Sequence, residues 1–274
     1  MLIVGERINT SRKVKGEPVI ENAVRARDAA FIIDLAKKQY EAGANYIDVN
    51  AGTLIDAEPE ALEWLVKTVQ GALDVQLTID SPNPVAIDLA LKAHKGQAMI
   101  NSITAEKDRY NAILPLVKQY ETKVVALSMG DAGIPPDAAG RITVAKELVG
   151  NLIAEGVNID NIYVDPLVYP VATGSEYGLA VLETIRTAKE AFPGVHAIAG
   201  LSNVSHGLPV RKFLNQAFTV MSMAAGLDAA IIDPMDRQLM ALIYATEALL
   251  GRDEYCAEYI TAAREGRLEL TEMK

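Results

Sequence analysis

Short runs of Val, Ile, Leu and Ala alternate along this chain with longer segments whose apolar residues recur three or four positions apart. The short runs, Leu2–Val4, Tyr46–Val49, Gln76–Ile79, Ala98–Ile100, Lys123–Leu127, Asn161–Val164, His196–Ala199 and Ala229–Ile232, have the length and aliphatic content of strands buried on both faces. The longer segments predict helices over Ala29–Glu41, Glu58–Ala72, Pro84–Ala93, Asp108–Tyr120, Thr143–Glu155, Leu179–Ala191, Val210–Ala225 and Gln238–Leu250. Leu62, Leu65, Val66 and Val69 show the spacing: they form one stripe of a 3.6-residue helix, which has to be covered. Gly43 and Gly226 stand just past two of these helices, where a left-handed residue ends the run. Thr10 to Arg27, polar and charged with Gly16 and Pro18, fits neither period and predicts a long loop above the first strand.

Strand-helix alternation requires parallel strands with right-handed crossovers, and eight such units in about 250 residues match a closed (β/α)8 barrel. Residues 1–274 read as one α/β domain of this kind. An open doubly wound sheet would place a glycine-rich phosphate turn after its first strand, and Gly5-Glu6-Arg7-Ile8-Asn9 is not G-x-G-x-x-G.

Half of the 274 residues are hydrophobic, enough for a large core. Asp and Glu outnumber Lys and Arg 36 to 26, for a net charge of −10, so the surface repels phosphate backbones and nucleic acid is not an expected partner. The single cysteine, Cys256, excludes an intrachain disulfide and fits a reducing compartment, so the cytoplasm is expected. No run reaches the roughly 18 apolar residues of a membrane span, and Met1–Arg7 lacks a secretory core.

The chemistry of such a barrel sits at the carboxyl ends of its strands. Those ends carry Glu6, Arg7 and Asn9; Asp48 and Asn50; Asp80 and Ser81; Asn101 and Ser102; Asp165; Ser202 and Asn203; and Asp233. One Asp or Asn at a strand end is most often a helix cap. Seven of eight strands ending this way describe a site, because caps fall on the last residue of a loop. Few cations join the set, which disfavours a sugar phosphate. With no His-x-His or Cys/His grouping, no metal is expected. Carboxylates and amides together suit a flat polar heterocycle that offers paired N–H donors and ring acceptors.

The runs Ile3-Val4-Gly5-Glu6-Arg7-Ile8-Asn9, Asp48-Val49-Asn50-Ala51-Gly52, Thr78-Ile79-Asp80-Ser81, Met99-Ile100-Asn101-Ser102, Tyr163-Val164-Asp165-Pro166 and Gly200-Leu201-Ser202-Asn203-Val204-Ser205 resemble the pterin-binding barrel of methyltetrahydrofolate:corrinoid methyltransferases. That domain is shared with cobalamin-dependent methionine synthase and is related to dihydropteroate synthase. The resemblance spans nearly the whole chain. It implies a dihydropteroate-synthase-like TIM barrel that takes tetrahydrofolate or methyltetrahydrofolate as substrate, with the corrinoid supplied by a partner protein, and it implies a homodimer. Asp80, Asn101 and Asp165 would hold the pterin ring, and Asn203 would face the ring nitrogen that bears the methyl group. Gly200, Ser202, His206 and Arg211 would line the same pocket, Ile231 would wall it, and Glu6 and Asn50 would complete the binding set. Two departures from the pattern are His206, where relatives carry an amide, and a long Thr10–Asn22 segment.

A methyl group on a neutral tertiary amine is a poor electrophile, so the ring nitrogen needs a proton or a strong hydrogen bond near the transition state. Asn203 supplies only a hydrogen bond, because an amide does not titrate. Turnover is expected to depend on Asn203 and Asp165. No Asp-x-His-x-x-Gly corrinoid motif occurs, so cobalt has to arrive on another chain. Two alternatives differ in what they ask of these residues. Dihydropteroate synthase wants a Ser-Arg pair where this chain has Ser202-Asn203. A non-catalytic folate-binding partner of a corrinoid protein would need no group at the reacting nitrogen.

Overall fold

The computed structural model describes residues 1–135 and 137–269. Eight parallel strands, β1 (Leu2–Asn9), β2 (Tyr46–Asn50), β3 (Gln76–Asp80), β4 (Met99–Thr104), β5 (Lys123–Leu127), β6 (Ile162–Asp165), β7 (His196–Gly200) and β8 (Ala229–Ile232), close into a barrel in sequence order. Closure is made by β8 against β1, with Leu2 opposite Ala229 and Gly5 opposite Ile232. Around it lie α1 (Val19–Arg25), α2 (Ala29–Glu41), α3 (Glu58–Ala72), α4 (Pro84–Ala93), α5 (Lys107–Tyr120), α6 (Ala138–Ala154), α7 (Tyr177–Ala191), α8 (Arg211–Ala224), α9 (Arg237–Leu249) and α10 (Ala257–Arg264). No helix among the described residues is long and apolar enough to cross a membrane.

The larger core lies between the barrel wall and the helices. Alternate strand residues such as Ile47, Val49, Leu77 and Ile79 point outward and meet the stripe Leu62, Leu65, Val66 and Val69 of α3, all fully buried. Each large aliphatic side chain buried this way contributes about 1.5–3 kcal/mol of transfer free energy. Several helices start where a side chain satisfies a free N–H group. Asp28 accepts from Phe31 N at 3.1 Å for α2, Asn83 from Val85 N at 3.0 Å for α4, and Asp137 from Gly140 N at 2.8 Å for α6. Gly43 and Gly226, with φ of +105° and +116°, follow α2 and α8 as the predicted stops.

Thr10–Arg27 is not the long loop its composition predicts. Val14 and Glu17 bridge across a tight turn in which Lys15 and Gly16 both have positive φ, and α1 follows. Ile20, Ala23 and Val24 of α1 are buried, a proper i, i+3, i+4 stripe, but seven residues are too few for periodicity to stand out. Two strands also run four or more residues past their predicted ends, β1 to Asn9 and β4 to Thr104. Both contain one extra residue relative to a neighbour, between Gly5 and Ile8 in β1 and between Asn101 and Ile103 in β4. Such bulges re-aim side chains, and here they fall at Glu6–Arg7 and at Ser102. In β1 the bulge is held from outside. Gln39 of α2, fully buried, accepts the Arg7 N–H at 2.9 Å, and a Cβ on Gly5 would lie 2.6 Å from the same Gln39 oxygen. Only glycine leaves room for that bond.

Candidate active site

Inside the barrel, Val4, Tyr46, Met99, Val125, Tyr163, Ile198 and Ala229 form one buried apolar layer. Side chains alternate along a strand, so two residues further on the same face presents Glu6, Asp48, Asn101, Leu127, Asp165, Gly200 and Ile231. The interior thus changes from hydrocarbon to carboxylate and amide within one strand period. Above the change lies a cavity of about 350 Å³.

Glu6, Asp80, Asn101, Asp165, Gly200, Ser202, Asn203 and Ile231 all line this cavity, as do Asp48, Asn9, Ser11 and Arg12. Three residues named from the sequence stand elsewhere. Asn50 sits behind Asp80, donating from Nδ2 to Asp80 Oδ2 at 2.9 Å and accepting the Gly52 N–H at 3.0 Å. Arg211 faces an adjoining cleft and holds the turn Leu201–Ser205 from outside, donating to the Ser202 carbonyl at 2.6 Å and to Ser205 Oγ at 2.9 Å. His206 is exposed just after that turn and lines neither space. Asn203 rides on the turn, its amide packed 3.4 Å from where a Cβ of Gly200 would be.

Sequence reasoning reads Asp48 as a strand-end acid but leaves it out of the binding set, and it passes over Ser11 and Arg12. The signal for Asp48 was available, since it lies two residues after the inward Tyr46. Arg12 carried none, because its position depends on the turn at Lys15–Gly16.

Four carboxylates share the cavity with one guanidinium, that of Arg12. Burial raises each of them above the ordinary carboxylate range. Asp165 is pushed up to about 7, against the Leu167 N–H that it accepts at 2.8 Å. Asp80 is pushed up to about 6, against the Asn50 amide. Asp48 is raised well above its usual value by burial and then by the charges of Asp80 and Glu6, and Glu6 is raised by burial despite Arg12. One oxygen of Asp48 is buried with no hydrogen-bond partner. A buried, unpaired carboxylate is costly, and the cost falls when a ligand brings N–H donors to it.

Nearby cations are committed to the backbone. Arg109 donates to the carbonyls of Ser81 (2.9 Å), Pro82 (2.7 Å) and Ser102 (2.7 Å), tying the end of β3 to the β4 bulge. Fully buried Arg141 donates to the carbonyls of Pro135 (3.1 Å) and Leu167 (2.9 Å) and lies over the rings of Tyr169 and Tyr177. The two guanidiniums fix the loops that aim Asp80, Asn101 and Asp165. Among the described residues no group of three or more His, Cys, Asp or Glu side chains is placed to hold a metal ion. The arrangement is a rigid acceptor set for a flat N–H-rich ring, open to solvent on the side of Asn203.

A barrel of this topology with acids gathered at its upper rim is that of the pterin-binding enzymes. The family model described as "Pterin binding enzyme" matches residues 6–233, and the chain belongs to that family. Within it, the chain is 37% identical over 270 residues, 98% of each protein, to the methylcorrinoid:tetrahydrofolate methyltransferase of Eubacterium limosum. It is 28% identical over 254 residues to the methionine synthase of Mycobacterium tuberculosis, matching 86% of this chain and 21% of that longer protein. Among solved structures, the 7,8-dihydropteroate synthase of Vibrio fischeri superposes with a TM-score of 0.67 at 15% identity, covering 92% of this chain and 93% of that one. A Yersinia pestis dihydropteroate synthase with a bound sulfonamide drug gives 0.67 at 16%, covering 92% and 94%. At that identity these structures speak for the dihydropteroate-synthase-like fold.

Proposed function

We propose that this chain is a methyltransferase that moves a methyl group between the methyl-bearing ring nitrogen of tetrahydrofolate and the cobalt of a corrinoid carried on a partner protein. The observation that carries the reading is the convergence of Asp80, Asn101 and Asp165 in one cavity with Asn203 at its open side. The full-length likeness to an enzyme named for this reaction supports it.

Asp80, Asn101 and Asp165, with Asp48 beside them, take the N–H edge of the pterin. Ionised carboxylates accept such donors in charge-assisted bonds, so ring binding draws the raised Asp165 and Asp80 toward their charged forms. Asn203 meets the reacting nitrogen. When methyl leaves folate, the C–N bond breaks, the nitrogen keeps the electron pair, and the methyl carbon bonds to cobalt(I), which supplies the pair for the new bond. A proton delivered to that nitrogen by water or through the carboxylates, and held there by a hydrogen bond to Asn203, turns a strongly basic leaving group into a neutral amine. In the reverse direction the nitrogen lone pair takes the methyl from methylcobalt(III), cobalt departs as cobalt(I), and the proton of the ring N–H is released along the same path. The same residues serve both, because one transition state is shared.

The partner approaches over the mouth, where exposed Ile55 and Val210 stand on the segments after β2 and β7 and exposed Val85 on the first turn of α4 after β3. Leu214 and Met221, exposed one heptad apart on α8, offer a face for the homodimer. A reducing cytoplasm suits the lone exposed Cys256.

The test mixes the chain with methyltetrahydrofolate and cob(I)alamin, and separately with tetrahydrofolate and methylcobalamin, and follows the cobalt spectrum. Conversion in either mixture is the expected result. An unchanged spectrum in both, with folate binding intact by calorimetry, overturns catalysis in favour of a binding role.

A further inference from the structure

Beside the acidic cavity lies a second space of about 470 Å³, bounded by Arg12 and Lys13 from the segment after β1, and by Arg211 and Lys212 at the start of α8. The two spaces share Glu6, Arg12 and Ser202, so they are continuous. Their charges oppose one another. The inner cavity has four carboxylates to one cation, whereas the cleft has four cations to three carboxylates, Glu6, Asp233 and Asp236, in a protein whose net charge is −10.

Two of the three acids of the cleft are already occupied. Asp233 accepts from Arg7 at 2.5 Å, and Asp236 caps α9 by accepting the N–H groups of Gln238 and Leu239. The cations are less committed. Arg12 approaches Glu6 and Asp233 only to 3.6 and 3.8 Å, and Lys212 approaches Asp236 to 3.4 Å. Arg211 spends Nε and Nη2 on the Leu201–Ser205 turn. Lys13 is exposed, and among the described residues no carboxylate lies within 4.0 Å of it. Donors therefore remain for an anion larger than a single carboxylate.

From this charge reversal along one continuous channel we infer that the cleft binds an oligo-γ-glutamyl tail, so that the substrate is a polyglutamylated folate. The inference rests on the proposed function, which seats the pterin in the inner cavity. A folate anchored there carries its aminobenzoyl-glutamate out of the cavity, and the shared lining of Arg12 and Ser202 leads it into the cleft. Each further glutamate adds one carboxylate within reach of Lys13, Arg211 and Lys212. Partly exposed pairs of this kind contribute a few-fold each and weaken with salt.

Calorimetry on the full chain with methyltetrahydrofolate carrying one, three or five glutamates tests this. The triglutamate is expected to bind about 5- to 20-fold more tightly than the monoglutamate at low salt, with most of that advantage gone at 0.5 M salt. In a Lys13→Ala, Lys212→Ala double variant the ratio is expected to fall to about 2-fold or less while melting temperature holds. Equal affinity for all chain lengths, or an advantage that survives in the variant, overturns the inference and leaves the proposed function standing. A variant that loses rate with the corrinoid protein but keeps its chain-length ratio also overturns it, and assigns the cations to an acidic face of that partner. Failure to bind any folate overturns both.

Discussion

The lower and upper halves of the barrel interior are built on the same strands and the same faces, two residues apart, yet they are opposites. Below, Val4, Tyr46, Met99, Val125, Tyr163, Ile198 and Ala229 pack without solvent. At the bottom the Tyr163 ring stacks on His196 at 4.6 Å, and His196 reaches Asp228 at 3.0 Å. Above, Glu6, Asp48, Asp80 and Asp165 face one another with little compensation. The lower layer stabilises the fold. The upper layer costs stability, which a ligand with the right donors returns as affinity.

Substitutions that exchange the properties of the two layers sharpen the contrast. The largest effect on folding is expected below: Met99→Ala removes a fully buried side chain and should lower stability by about 2–5 kcal/mol in denaturant titrations. Unchanged stability would mean that the lower layer is not what holds the barrel. Asn203→Ala is expected to lower turnover by about 10² to 10³, equivalent to about 2.7–4 kcal/mol, while folate affinity falls less and stability stays within about 0.5 kcal/mol. Turnover within a factor of two of the parent would remove Asn203 from the mechanism. Asp165→Ala is expected to weaken folate binding more than it slows the saturated reaction; equal losses would assign Asp165 to the proton path.

The pH response should be smaller, with a definite sign. Asp165 and Asp80, near 7 and 6 when folded, hold more protons in the native than in the unfolded chain between about pH 4 and 7. Unfolding free energy of the free chain therefore falls as pH rises through that window and levels above it. Thermal melts at pH 5 and pH 8 should show the protein more stable at pH 5 on account of these groups, and Asp165→Asn should flatten the difference. Folate affinity should run the other way, rising toward pH 8, because the ring's donors prefer ionised acceptors. The smallest effect is expected far from the cavity, at Asp137→Ala, where loss of the α6 cap costs about 1 kcal/mol of stability and leaves folate binding unchanged.

The same contrast explains what could be read in advance. Apolar periodicity located all eight strands, because outward residues such as Ile47 and Ile79 obey one simple rule of burial. It failed at the upper ends of β1 and β4, where Glu6, Arg7, Asn101 and Ser102 answer to the site instead of the core, so these strands looked shorter than they are. Asp80, Asn101, Asp165 and Asn203 were legible as strand-end acids and amides whose motifs resemble those of known pterin binders. Asp48 lost out to Asn50 because both stand on one strand, and only the bond from Asn50 to Asp80 shows which of the two backs the other. His206 and Arg211 depended on a 3-10 turn whose direction no composition rule supplies. The helix α1 and the turn before it were hidden by their brevity.

The sealed floor has a kinetic consequence. Since the lower layer packs closed across the barrel, a ligand of the cavity enters and departs through its upper opening, which under the proposed function is also the one the corrinoid protein has to cover. Under the proposed reaction, order is thereby compulsory. Folate is first on and last off, a docked partner traps it in place, and the lifetime of that docked complex, rather than the chemistry beneath it, sets a ceiling on how often the room can be emptied.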